Sequence, residues 1–256
     1  MSGIRLVTRA DDAGLHPVVN RAIRDTVTQG IVRNISLMAP TPAIRHAYDF
    51  LGDLADRVDF GLHVTLTAEW QYPRWKPLTG AATRFPVRGD GTMHSTVSRL
   101  AASAPDGDAL MAEVAAQYEL LVNLGFRITY VDEHMGVGEI AGLAGRLDAF
   151  ARERGLINSG SLLASGMLTA VPGWSGPAEH PGTEFADQLA QTGAGTYLLV
   201  GHPATKDEEM QRIRRDGDTA GSVAVDRNRE RRMLMDIEIV DYCENVEIEL
   251  LRYSDL

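Results

Sequence analysis

Arg5 to Gly14 read RLVTRADDAG, an apolar run that ends in two adjacent aspartates. The run has the apolar density of a buried strand, and Asp-Asp-Ala-Gly falls where such a strand turns into a loop. One carboxylate would satisfy a surface turn. Two like charges side by side raise the question of what else the chain brings to that strand end.

Downstream, strand and helix patterns alternate. A helix is expected over Pro17 to Gln29, stopped by Gly30. A strand follows over Ile31 to Ala39, then a helix with Thr41 as N-cap and Pro42 in its first turn. Val58 to Thr67 reads as a third strand. Residues 68 to 106 look irregular, an insertion or lid loop in which Trp70, Tyr72, Pro73, Trp75 and Pro77 crowd together. A strong helix over Asp108 to Gly125 feeds the strand Arg127 to His134, and another helix is expected over about Ile140 to Arg154. Gly155 to Gly195 is Gly- and Ser-rich and gives only weak signals. Thr196 to Pro203 is a clear strand, Asp226 to Cys243 one helix, and Val246 to Tyr253 a closing strand. Repeated strand-helix units imply a parallel sheet with right-handed crossovers. Their number in this length favours an α/β fold of the TIM-barrel type, whole, distorted or incomplete, over an open doubly wound sheet.

The composition narrows the function. At 256 residues with 44% hydrophobic and 23% charged content, the chain suits a globular protein with a sizeable core. A net charge of -10 argues against nucleic acid and anionic membrane as partners, since both want a basic face. A small acidic ligand stays compatible. The lone Cys243 precludes an internal disulfide, and neither a signal peptide nor an apolar run of about 18 residues is present, so a cytoplasmic location is expected. Neither GxGxxG after the first strand nor GxxxxGK[ST] occurs, which removes the two commonest nucleotide-phosphate signatures.

In a parallel barrel, chemistry gathers where strands end. Four predicted strands end in or carry candidate ligands: Asp11 and Asp12 on the first, His63 on the third, Asp132 and His134 on the fourth, and His202 on a later one. Each has a plainer reading taken alone. Asp-Asp-Ala-Gly suits a solvated turn, His63 a hydrogen-bonded core histidine, and His202 before Pro203 a strand cap. Four coincidences with strand ends are harder to assign to independent turns. Period-two alternation puts Asp132 and His134 on one face and Glu133 on the other, in a structural role. His16, His46, His94 and His180 read as solvated surface. One carboxylate with two neutral imidazoles, Asp12, His63 and His134, is a common divalent-metal set. Asp11 would then take the proton of an activated water, and His202 is the right type to protonate a leaving amine. The natural reaction class is metal-assisted amide or ester hydrolysis.

In order along the chain, TRADDAG within residues 8–43, GLHVTLT at 61–67, VDEHMG at 131–136, VGHPA at 200–204 and the Arg-x-x-Glu of DRNRERRMLMD at 226–236 resemble the YdjC-like (ChbG-type) carbohydrate deacetylases. The resemblance spans nearly the whole chain and implies a single TIM-barrel-like domain over residues 1–256. It further implies one divalent metal, magnesium or zinc among the candidates, and removal of an acetyl group from an N-acetylated sugar. By position, Asp12, His63 and His134 match the metal ligands, Asp11 the base and His202 the His-Pro histidine. Arg9, Ala13, Gly136 and Ala204 stand where the family usually has Asn, Phe, His and Gly. These differences lie around the substrate, so another small acylated compound remains open. Substrate contacts are expected from Trp70, Tyr72, Trp75, Arg9 and Asp132, although the aromatics could equally pack the loop down. A homodimer is compatible with such a barrel. Two rivals are carried: a metal- or sugar-binding member that has lost catalysis, and a metal-dependent barrel isomerase or aldolase. The isomerase needs a lysine or glutamate base; no predicted strand end supplies a lysine, and Glu133 could serve only in a different strand register.

Overall fold

The computed structural model describes residues 3–80, 84–173, 176–177 and 179–256. Among the described residues eight strands, all parallel, form one curled sheet: β1 (Ile4–Ala13), β2 (Asn34–Leu37), β3 (Asp59–Val64), β4 (Ile128–Glu133), β5 (Ile157–Asn158), β6 (Thr169–Ala170), β7 (Gly195–Gly201) and β8 (Glu249–Leu251). Their order is β5-β4-β3-β2-β1-β7-β6, with β8 also on β1. Among the described residues nothing pairs β5 with β6, so the TIM-like barrel is incomplete. The open seam falls in the Gly- and Ser-rich stretch, where two-residue strands offer too few ladder bonds to close the sheet. Helices cover the outside: α1 (Pro17–Thr28), α2 (Ile44–Leu51), α3 (Val97–Ala102), α4 (Gly107–Leu124), α5 (Leu143–Glu153), α6 (Ser159–Ala164), α7 (Pro181–Ala190), α8 (Glu208–Gln211), α9 (Ser222–Leu234) and α10 (Ile237–Asn245). None of the described helices is long and apolar enough to cross a membrane.

Period two along β1 sorts its side chains. Leu6 and Ala10 join the large core under the helices, whereas Val7 meets Tyr130, Leu198, Leu251 and Tyr253 inside the curl. Above that apolar floor the interior turns polar, with Arg9, Ser36, Asp132 and the Tyr130 hydroxyl. Gly61 makes room for this layer, because a Cβ there would lie 2.2 Å from the Tyr130 ring. Asn34 seals the place where one edge of β1 passes from β8 to β2. Its amide donates to the carbonyls of Thr8 and Leu251 and accepts the Tyr253 N–H.

Several sequence expectations need correcting. Thr41 does not cap α2; its hydroxyl donates to the Met38 carbonyl in the preceding turn, and Ala43 occupies the N-cap. The long C-terminal helix is two, α9 and α10, broken where Asp236 caps the second by accepting the Glu238 N–H. Residues 68–106 contain α3 as well as loop. His16 and His46 are half-buried rather than solvated, since the first caps α1 and the second bonds the Asn20 amide and stacks on Phe50.

Candidate metal centre and active site

The register shift between Ala10 and Ala13, where β1 gains one residue over β2, brings both aspartates inward. Simple alternation would have turned Asp12 out toward the helices. Asp12 adopts φ 68, the left-handed conformation that is uncommon for a non-glycine residue and that Asp tolerates better than most. The neighbours therefore face different partners. Asp11 receives both arms of Arg9, at 2.7 and 2.8 Å, and Asp12 turns to His63, His134 and Arg227.

His63 and Asp132 are register partners across β3 and β4, which puts them side by side. His63 Nδ1 lies 3.1 Å from Asp132 Oδ1, and His134 Nε2 lies 3.0 Å from Glu69 Oε2. In the neutral rings those nitrogens carry the proton, leaving the lone pairs on His63 Nε2 and His134 Nδ1. The two lone pairs face each other at 3.3 Å, and Asp12 Oδ1 lies 3.6 and 3.4 Å from them. A cation held at about 2.1 Å separates adjacent ligands by about 3.0–3.4 Å, so this triangle is of the size one ion requires. Asp12 Oδ1 is buried without a hydrogen-bond partner, as are Thr67 Oγ1, Glu69 Oε1, Trp70 Nε1 and Arg227 Nη1 close by. Only one such orphan among the described residues, Arg231 Nε, lies elsewhere. The residues fit a single divalent ion.

The charges are strongly coupled. Burial alone would raise the Asp11 carboxyl, but the Arg9 guanidinium overrides it and holds the group at about 2. Asp12 is likewise held well below the usual range, against its burial, chiefly by Arg227. Burial disfavours both imidazoliums, yet Asp132 and Asp11 lift His63 to about 10, and Glu69 and Asp12 lift His134 to about 9. For His202, too, burial acts downward and is outweighed by Glu230, whose carboxylate lies 3.4 Å from Nδ1 and accepts the His202 backbone N–H.

The remaining candidates separate. Asp132 and Arg9 belong to the buried network, with Arg9 bridging Asp11, Asp132, Ser159 and Tyr253. All of its arms are engaged within the chain. Trp70 and Trp75 are buried, as the packing reading required. Trp75 donates to the Thr67 carbonyl and sets its ring edge toward His134, while Trp70 lies under the guanidinium groups of Arg215 and Arg227. Tyr72 stands exposed on the rim, against Arg212. A cleft of about 280 Å³ runs between Trp70, His202, Arg215 and Arg227. The segment bearing the tryptophans is tied to α4, where Gln117 bonds the Thr65 backbone both ways and Glu113 accepts the Leu78 and Thr79 N–H groups. Glu133 turns to the other face and accepts the Gly138 N–H, which removes it as an isomerase base.

Glu69 escaped the sequence reading, and Arg227 and Glu230 entered it only as the Arg-x-x-Glu of the resemblance, with no role assigned. Glu69 sits between Ala68 and Trp70 just past β3, and its signal was a carboxylate in an otherwise apolar stretch. Arg227 and Glu230, one turn apart on α9, reach Asp12 and His202 from the far end of the chain. Their i, i+3 spacing puts both on one helix face. Because Glu69 fixes the His134 tautomer, Glu69→Ala is expected to weaken divalent-cation affinity by about 10–100-fold. Calorimetric titration checks this, and an unchanged affinity would show that His134 needs no support.

The profile of the YdjC-like protein family matches residues 5–245, and the chain belongs to that family. The carbohydrate deacetylase of Thermoanaerobacter pseudethanolicus is 26% identical over 98% of both chains. Carbohydrate deacetylase 1 of Listeria innocua is 24% identical over 99% of this chain and 100% of its own. A crystal structure from Enterococcus faecalis superimposes with a TM-score of 0.79 at 20% identity, covering 98% of each chain, a likeness of fold.

Proposed function

We propose that this protein is a divalent-metal-dependent hydrolase that removes an acyl group, acetyl in the first instance, from the nitrogen of an amino sugar. The observation that carries the reading is the convergence of Asp12 Oδ1, His63 Nε2 and His134 Nδ1, each backed by a partner that leaves its lone pair free. The relatives named carbohydrate deacetylase support the substrate class. A cation in the triangle, magnesium or zinc, would acidify water and polarise an acyl carbonyl.

The chain's own residues do the rest. Asp11, oriented by the fork of Arg9, takes the proton of the attacking water. Glu230 favours the protonated form of His202, which delivers a proton to the departing amine across the cleft walled by Trp70. Tyr72, exposed against Arg212, offers an aromatic ring of the kind that stacks on sugars. Arg227 holds one oxygen of Asp12, so the other faces the two imidazoles.

The test is acetate release from N-acetylglucosamine oligomers, before and after chelation and with zinc, magnesium or manganese restored. Release that stops on chelation and returns with one of the metals is expected. Release indifferent to chelation overturns the metal role. Tight cation binding with no release from any acylated sugar would instead mark a binding member of the family.

A further inference from the structure

Two buried donors on the residues that wall the cleft have no acceptor. Trp70 Nε1 and Arg227 Nη1 are sealed from water without a hydrogen-bond partner, and both residues line the cleft that holds His202. The guanidinium of Arg227 packs on the Trp70 ring, 5.2 Å from its centroid, and its Nη2 bonds Asp12 Oδ2 at 2.6 Å. The unused Nη1 therefore belongs to the same planar group that touches Asp12. The cleft has acceptors of its own, but they are engaged elsewhere. Asp218 accepts the Arg215 N–H, Asp226 pairs with Arg229, and Glu230 accepts the His202 N–H. Buried donors are rarely left unpaired, so two on adjoining side chains call for an acceptor from outside the chain.

We propose that Trp70 Nε1 and Arg227 Nη1 form a two-donor site for the acyl oxygen of the substrate, where they take up the negative charge that gathers as water adds. The inference rests on the hydrolase reading above and names two side chains that touch the reacting group. As the water oxygen bonds to the acyl carbon, Asp11 takes its proton and the C=O π pair moves onto the acyl oxygen. That pair returns as the C–N bond breaks, and the nitrogen takes the proton of His202. The acyl oxygen carries its full negative charge only between the two steps. Indole and guanidinium donate and never accept, and the arginine charge is permanent, which suits an oxygen that only accepts. Trp70 is 3% exposed and carries Arg215 as well as Arg227 against its ring, so the donors are already fixed when the charge appears. Donors that need no reorganisation are the ones that lower such a barrier most.

Arg227 also holds Asp12, so the test falls on Trp70. Trp70→Phe keeps an aromatic face for both guanidinium groups and removes the N–H. On N-acetylglucosamine oligomers its kcat is expected to fall by about 10²-fold, the loss typical of one such donor, with KM within about threefold of wild type. The N-methylphosphonyl derivative of glucosamine is tetrahedral and anionic where the acetamide is planar, and its affinity is expected to fall by the same factor. Affinities for glucosamine and for zinc, read by calorimetry, are expected to stay within about threefold. A kcat within about threefold of wild type overturns the proposal. So does a rise in KM alone, which marks a ground-state sugar contact. Trp70 is buried, so its variant can fold poorly. Wild type labelled with nitrogen-15 at its three indoles answers independently, with the Trp70 resonance assigned through Trp75→Phe and Trp174→Phe. A resonance that moves with the phosphonyl analogue but not with glucosamine supports the proposal, and one unmoved at saturation overturns it. Failure of the hydrolase reading looks different. Wild type then releases no acetate at all, and the analogue and the indole resonance still decide the donor pair.

Discussion

Asp11→Asn is expected to cut acetate release by about 10²–10⁴-fold, the usual loss on removing a general base, while the chain still binds its cation. The argument lies in how the two aspartates divide. Asp12 turns one oxygen to the His63–His134 pair, but both oxygens of Asp11 are taken by Arg9. Removing the charge of Asp11 therefore removes a proton acceptor without removing a ligand. Asp12→Asn is the contrasting variant, since it should lose the cation along with turnover. A carboxylate held at about 2 is a weak acceptor at rest, so it draws a proton only from a water already made acidic. Its own titration then lies far below the working range, and the acid limb of the pH–rate profile reports the histidines. Turnover of Asp11→Asn within about threefold of wild type would end the base assignment. Loss of cation binding in that variant would make Asp11 a ligand instead.

The strand ends were legible because each parallel strand is a short apolar run with its chemistry at the last residue. Asp11, Asp12, His63, Asp132 and His134 converge for that reason, with the β3–β4 register setting His63 beside Asp132. The outward turn that plain alternation assigns to Asp12 is undone by one extra residue in β1 and by φ 68, neither of which has a signature in Arg-Ala-Asp-Asp-Ala. Arg9 reads locally as a cation near a site. Its confinement depends on Tyr253 and Ser159, 244 and 150 residues away. Arg227 and Glu230 are contacts made by packing α9 over the barrel mouth, and sequence shows the helix without its neighbour. That the barrel could be incomplete was legible, but the place of the open seam was not, because two-residue strands leave no periodicity to detect. The break between α9 and α10 was different. Asp236 followed by Glu238 is a helix-start signal, masked by the apolar residues on either side.

Cation uptake near pH 7 is expected to release about two protons per chain. Four buried carboxylates, Asp11, Asp12, Asp132 and Glu69, meet two guanidinium groups, Arg9 and Arg227, which leaves two negative charges. In the metal-free chain the imidazoliums of His63 and His134, lifted to about 10 and about 9, offset them. A divalent ion offsets the same charge but needs both rings neutral, so the ion exchanges for two protons. The sign follows for stability as well. Both pKa values are raised on folding, so the protonated histidines stabilise the metal-free fold fully below about 6.5, the unfolded value. That contribution fades as pH rises through about 9 and about 10. Cation affinity runs the other way, rising by about tenfold per released proton for each pH unit until the histidines deprotonate. Calorimetry in buffers of different ionisation enthalpy counts the protons directly. Affinity independent of pH between 6 and 8, with no proton released, would place the cation away from His63 and His134.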